Sequence, residues 1–180
     1  ETNFFGTQYD NHMDVCKANN TEKPKLLARH YDINNISFSN IAYKKLELDS
    51  PYMQEKFAVN INNIATKSGN RLMLPSSLFN SYSNIQRNED RQQQIYINRG
   101  FTDEDIIEIE LPEGINKKMQ PMIKVLTCEM GTYAFTASIE ENMLRCKRTL
   151  TIKQGNYAPS LYNEFHDFLK SVSQTDKGRF

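Results

Sequence analysis

Three alternating apolar stretches follow one another with almost nothing between them: Ile123 to Met130, then Tyr133, Phe135, Ala137 and Ile139, then Leu144, Cys146, Leu150 and Ile152. A period of two sends alternate side chains to opposite faces of a strand. Connections as short as Gly131 and Glu141-Asn142 allow only an antiparallel return. A chain with such a meander must build an antiparallel sheet and cover its apolar side. Arg148 shares the parity of the apolar residues, and the reading places it at the sheet rim with its charge reaching water.

More strands are expected upstream. Phe57, Val59 and Ile61 alternate with Ala58, Asn60 and Asn62, and Ile64 breaks parity, which predicts a bulge near Asn62 and Asn63. Ser68-Gly69-Asn70 supplies a turn into Arg71-Leu72-Met73-Leu74, where Pro75 ends the ladder because it has no amide hydrogen. A polar loop carrying Leu78, Phe79 and Tyr82 leads to a strand at Gln94 to Ile97, and Ile107, Ile109 and Leu111 alternate with Glu108 and Glu110 up to a turn at Pro112-Glu113-Gly114. Ile33 to Phe38 and Tyr43 to Leu48 read as extended, and Phe4 to Ala18 as an N-terminal hairpin or connecting segment.

Two helices are expected. Thr21 caps the first, with Pro24 in its first turn and Leu26, Leu27 and Tyr31 on one face. In the second, Pro159 opens a stripe of Leu161, Phe165, Phe168, Leu169 and Val172 opposite Glu164, Asp167 and Lys170, with residues 173–180 fraying beyond it. The fold class is therefore mainly β: an antiparallel β-sandwich-type domain with a short helix near the N-terminus and one at the C-terminus. Residues 1–50 are expected to form a hairpin or linker segment with the short helix and 51–180 the sandwich, or else 1–180 one compact unit.

Charge and composition exclude several function classes. Lys plus Arg equals Asp plus Glu at 22 each, so no net field draws the chain to a polyanion, and nucleic acid is not an expected partner. No window approaches the run of about 20 apolar residues that a spanning helix needs. Cys16, Cys128 and Cys146 are too scattered for a disulfide framework or a tetrahedral zinc site. Cys128 and Cys146, on strands separated by a third, would lie roughly 10 Å apart, beyond disulfide reach.

Each candidate for chemistry meets a simpler reading. His12 and Cys16 are the most suggestive pair, but strand spacing would hold them roughly 13 Å apart, so Cys16 reads as a structural thiol. Asp10, His12 and Asp14 resemble the start of a calcium loop that lacks its glycine and its closing glutamate. Asp103-Glu104-Asp105 reads as a solvated turn. Glu108 and Glu110 project from one strand face about 7 Å apart, a glycosidase-like distance that alternation with isoleucine explains more simply. His30 and His166 fall on helices in surface or capping roles, and parity sends most of Tyr96, Phe101, Tyr133 and Phe135 to the core. No residue is assigned a catalytic, cofactor-binding or metal-binding role.

Four stretches in order carry a family resemblance: Gly69-Asn70-Arg71-Leu72 followed by Leu78-Phe79-Asn80; Ile109-Glu110-Leu111-Pro112-Glu113-Gly114 with Pro121; Gly131-Thr132-Tyr133; and Asn156-Tyr157-Ala158-Pro159-Ser160-Leu161-Tyr162-Asn163-Glu164-Phe165. From Ser68 to Val172 the chain resembles the C-terminal domain of unknown function of transglutaminase-like proteins of Gram-negative bacteria. The resemblance implies a periplasmic or secreted protein in which a papain-like Cys-His-Asp core precedes this part. No position here matches that catalytic arrangement. The expected function is a non-catalytic accessory domain beside such a core, the alternative a stand-alone module binding glycan or peptide, and a hydrolase comes last.

Overall fold

The computed structural model describes residues 1–31, 33, 35–46, 51–62, 64–69, 71–80, 85–113 and 119–179. The turn residues expected at Asn63, Asn70 and Gly114, and the loop residue Tyr82, lie outside the described residues.

The order of elements is β1 (Thr2–Gly6), α1 (Thr7–Asn11), α2 (Met13–Lys17), α3 (Lys23–Tyr31), β2 (Ile36–Leu46), β3 (Tyr52–Ile61), β4 (Thr66–Ser68), β5 (Arg71–Met73), β6 (Ile95–Ile97), β7 (Phe101–Glu110), β8 (Met122–Cys128), β9 (Gly131–Glu140), β10 (Met143–Ile152), β11 (Gly155–Tyr157) and α4 (Tyr162–Asp176), the last entered through a 3-10 turn at Pro159–Leu161. Seven strands form one antiparallel sheet in the order β2-β3-β1-β7-β10-β9-β8, with β4-β5 and β6-β11 as separate two-stranded ribbons. The chain is thus mainly β with a large antiparallel sheet and a C-terminal helix. The meander stands as expected, since β8, β9 and β10 pair in sequence without a register shift.

One face of the sheet is covered. The stripe of Phe165, Phe168, Leu169 and Val172 on α4 packs with Tyr133, Phe135, Leu144 and Leu150 from β9 and β10, and Ile95 and Leu74 close the same cluster. A second cluster under β2 and β3 joins Val15, Leu27 and Tyr31 to Phe38, Phe57 and Phe79. Its rings meet edge to face, with centroids 5.1 Å apart for Phe38–Phe57, Tyr31–Phe79 and Phe57–Phe79, the geometry that opposes ring edge to ring face.

Several expectations are corrected. The segment from Phe4 to Ala18 is no hairpin: residues 2–6 form a central strand between β3 and β7, and two short helices follow. Weak alternation hid the strand because only Thr2 and Phe4 face the interior. The bulge expected near Asn62 and Asn63 falls partly outside the described residues; a register slip does occur in β2, between Ser39 and Ala42, where Asn40 takes φ 52°, a left-handed value that asparagine tolerates. The two extended stretches around it are therefore one strand. In the turn that leads into α3, Asn19 rather than Thr21 supplies the accepting side chain, its Oδ1 taking the Glu22 and Thr21 amides at 3.0 Å.

Asp103-Glu104-Asp105 is no solvated turn but the middle of β7, with Asp103 and Asp105 each 3% exposed. Arg148 is equally buried and nowhere near the rim. Residues 173–176 do not fray: α4 runs on to Asp176, and Ser173, Thr175 and Asp176 are buried. Beyond it the Ser76 amide donates to the Gly178 carbonyl at 3.0 Å, which ties the end of the chain to the segment after β5.

Two glycines make the junction of β1 with β7 possible. Gly6 has φ 65°, and a Cβ there would stand 2.1 Å from the Gly100 carbonyl oxygen; a Cβ on Gly100 would stand 2.5 Å from the Ile152 carbonyl oxygen. Only residues without a side chain let three backbones approach this closely.

Candidate functional site

Residues opposite one another on antiparallel strands point to the same side, so register alone lines up the polar groups of the covered face. Tyr43, Glu55, Thr2, Asp105, Arg148 and Phe135 stand side by side across β2, β3, β1, β7, β10 and β9. This row crosses the core where the sequence led one to expect only apolar side chains.

At its centre is an ion-pair network. Arg148 grips Asp176 with two nitrogens, Nε to Oδ1 at 2.9 Å and Nη2 to Oδ2 at 3.0 Å, and its Nη1 donates to Asp105 Oδ2 at 3.1 Å. The Tyr133 hydroxyl donates to Asp176 Oδ1 at 2.7 Å. Asp105 Oδ1 accepts from Thr2 Oγ1 and from Asn80 Nδ2, each at 2.7 Å. Burial works against the Arg148 charge, but hydrogen bonding and attraction to Asp176 and Asp105 outweigh it and hold the guanidinium above its usual pKa. Asp103 stands beside Asp105 with only Gln8 Nε2 donating to it, at 3.3 Å, and its Oδ1 has no partner among the described residues. Burial first, then the Asp105 charge, push the Asp103 carboxyl up to about 7. Burial also lifts Asp105, against the pull of Arg148, Thr2 and Asn80. Asp105 and Asp176 share the Arg148 cation, and Asp103, which has the fewest donors, stands beside them.

The outer end of the row is a second cluster. Tyr31 and Tyr43 both donate to the Glu55 carboxylate, and His12 Nδ1 lies 3.4 Å from Glu55 Oε2. The His12 ring stacks on Phe4 at 3.6 Å and meets the edge of His30 at 4.3 Å. Burial opposes the charge of Glu55, yet His12 and the two hydroxyls prevail and hold its carboxyl below the usual range. Tyr31 and Tyr43 move the other way, raised by burial and by the Glu55 charge. Burial, then the nearby His12, lower the pKa of His30.

His12 and Cys16 are nearer than a strand would place them. The Cys16 amide donates to the His12 carbonyl at 3.1 Å, one helical turn away, because the segment is helical. Yet the imidazole turns inward at 1% exposure toward Glu55, and no hydrogen bond joins it to the Cys16 thiol. Asp10 pairs with Arg99 while Asp14 is exposed, and among the described residues no group of three or more His, Cys, Asp or Glu could hold a metal ion. Cys128 and Cys146 are buried free thiols on β8 and β10 with β9 between them, and burial pushes Cys146 up to about 11. Glu108 faces water and pairs with Arg145 at 2.8 Å. His30 is largely at the surface; His166 is buried, with Nδ1 2.9 Å from Asp167. Of the four ring-bearing candidates, Tyr133 and Phe135 are in the core, Phe101 is half-buried and Tyr96 is 72% exposed.

Sequence reasoning missed Thr2, Asp105 and Asp176 as partners in the Arg148 network and Tyr43 and Glu55 as members of the second cluster. The available signal was parity: Glu55 alternates in step with Met53 and Phe57, and Asp103 and Asp105 with Ile107 and Ile109.

On the open face, where Phe5, Thr102, Glu104 and Thr151 point, lies a cleft of about 650 Å³. Phe5, Tyr9, Pro51 and Phe101 contribute apolar wall, and the exposed Arg99–Asp10 pair and Glu104 contribute charge. Phe5 is braced against Tyr52 with ring centroids 4.9 Å apart. Such a wall can hold a ligand by ring stacking and hydrogen bonding.

No described helix is long and apolar enough to cross a membrane. No curated protein and no solved structure matches the chain. A family model does match, over residues 70–180, which include every element from β6 to α4 and well over half of the 180 residues, and the chain therefore belongs to the family described as a domain of unknown function with a solved structure, DUF3858.

Proposed function

We propose that this chain is a non-catalytic accessory domain that packs beside, or presents substrate to, a papain-like transglutaminase-type core, in a periplasmic or secreted protein of a Gram-negative bacterium. The observation that carries this reading is the burial of the chemistry-bearing groups. The side chains of Arg148, Asp105, Asp176, His12 and Glu55 are each at most 4% exposed and are occupied with one another. An acid-base or nucleophilic pair must reach a substrate atom within hydrogen-bond distance, and these cannot. The ordered motifs from Ser68 to Val172 supply the link to transglutaminase-like proteins.

The test combines the purified chain with a papain-like core from such a protein and follows ammonia release from a glutamine peptide. The chain alone should release none, and saturating chain should change the turnover of the core. Release by the chain alone that disappears in Cys16→Ser would overturn the reading. A second reading, a glycan- or peptide-binding module, is favoured by the Phe5, Tyr9 and Pro51 wall of the open-face cleft. It requires that soluble oligosaccharides or peptides bind the chain and that Tyr9→Ala weakens them.

A further inference from the structure

The two edges of the seven-stranded sheet are built differently. Exposed edge strands invite pairing with other chains, and proteins blunt them with bulges, lysines and prolines. β2 carries these devices: its register slips between Ser39 and Ala42, and Lys44 and Lys45 follow. β8 does not. Its seven residues, Met122 to Cys128, pair with β9 in unbroken register, hold no proline and only one charge, Lys124, and make no hydrogen bond on their outer side among the described residues. On the open face of this edge Ile123 is 73% and Val125 66% exposed.

On the covered face of the same edge runs a groove of about 270 Å³ between β8 and α4. Lys124 and Arg179 stand in its wall with Ser171, Gln174 and Thr175, and no carboxylate lines it. Neither cation makes an ion pair among the described residues; Arg179 Nη1 donates to the Thr66 hydroxyl at 2.5 Å. An added strand would send alternate side chains to the two sides. One set would lie on Ile123 and Val125, and the other would enter a cationic groove.

We infer that β8 is a docking edge for an extended segment of another protein, about seven residues long, with apolar residues at one parity and acidic residues at the other. The main chain of that segment completes the backbone pairing, as in strand addition elsewhere. A second copy of this chain fits less well. Two-fold pairing of β8 with itself would line the Lys124 and Arg179 side chains of both copies along one seam with no carboxylate between them. The edge takes no part in the cleft and its outer backbone is not part of the buried ion pairs, so its failure leaves the accessory reading untouched.

The experiment titrates the isotopically labelled chain with a blocked seven-residue peptide alternating glutamate and valine, and with a lysine-valine counterpart. The glutamate peptide should shift and protect the amides of residues 122–128 and bind about tenfold more tightly than the lysine peptide, as two partly screened charge pairs would allow. Val125→Pro should abolish binding. Because that variant can perturb the sheet, the Lys124→Glu and Arg179→Glu double variant is the second arm, and it should reverse the preference between the peptides. Absence of binding at millimolar peptide, equal binding of both peptides, shifts confined to other strands, or self-association of the chain through β8 would each overturn the proposal.

Discussion

Arg148 is the residue on which the interior depends most. It holds two carboxylates that form no other ion pair among the described residues, and Arg148→Met would leave Asp105 and Asp176 buried without it. Breaking a buried pair in this way costs about 3–5 kcal/mol, so the melting temperature should fall by roughly 6–20 degrees or the chain should fail to fold. A variant that melts within a degree or two of the parent would show that the network contributes nothing. At the other cluster, Tyr43→Phe removes one hydroxyl donor from Glu55 and should cost about 1–3 kcal/mol in urea unfolding, the expense of an unmet buried acceptor. The sequence disclosed Arg148 as an oddity of parity but not its partners. Asp176 lies 28 positions on, at the end of a helix whose apolar stripe stops at Val172, and no local pattern announces that the next turn stays buried.

Elements were legible where alternation was strong. β8 to β10 and the stripe of α4 follow from period alone, because apolar burial on one face dictates both. β1 escaped because a strand in mid-sheet that contributes Thr2 and Phe4 to the interior has too little alternation to read, and its partners are distant in sequence. The same holds for the helical 7–17 segment, two five-residue helices too short to show a stripe. The cleft was invisible since it depends on Gly6 and Gly100 bringing three backbones together. Replacing Gly6 by alanine would combine a left-handed φ with a clash on the Gly100 carbonyl, and a loss of about 2 kcal/mol or more is expected from chemical denaturation. Leu169→Ala, fully buried on α4, should cost about 2–5 kcal/mol, and a smaller loss would mean that the helix sits loosely on the sheet.

Taken as a whole, the molecule should be most stable in mild acid. Asp103 has a folded pKa raised to about 7 from 3.8, so its contribution is complete below about pH 4 and declines as pH rises through 7. Glu55 has the opposite sign: with its folded pKa lowered from 4.5, its contribution is present above that value and lost as pH falls further. Asp105, also raised by burial, has the same sign as Asp103, so thermal melts should peak at about pH 4 to 5 and decline toward neutral pH, and Asp103→Asn should remove part of that decline. A profile flat from pH 5 to 8 in the parent would contradict the buried, unpaired state of that carboxyl.

The placement of β1 has a consequence for assembly in the cell. Thr2 and Asp105 touch across 103 positions of chain, so the strand that joins the two halves of the sheet is synthesised long before its neighbour on β7 exists. During translation residues 2–6 can at best wait against β3, with their other edge open, until β7 leaves the ribosome. Joining the halves therefore comes late, and in that interval the nascent chain is most exposed to mispairing and most in need of a chaperone.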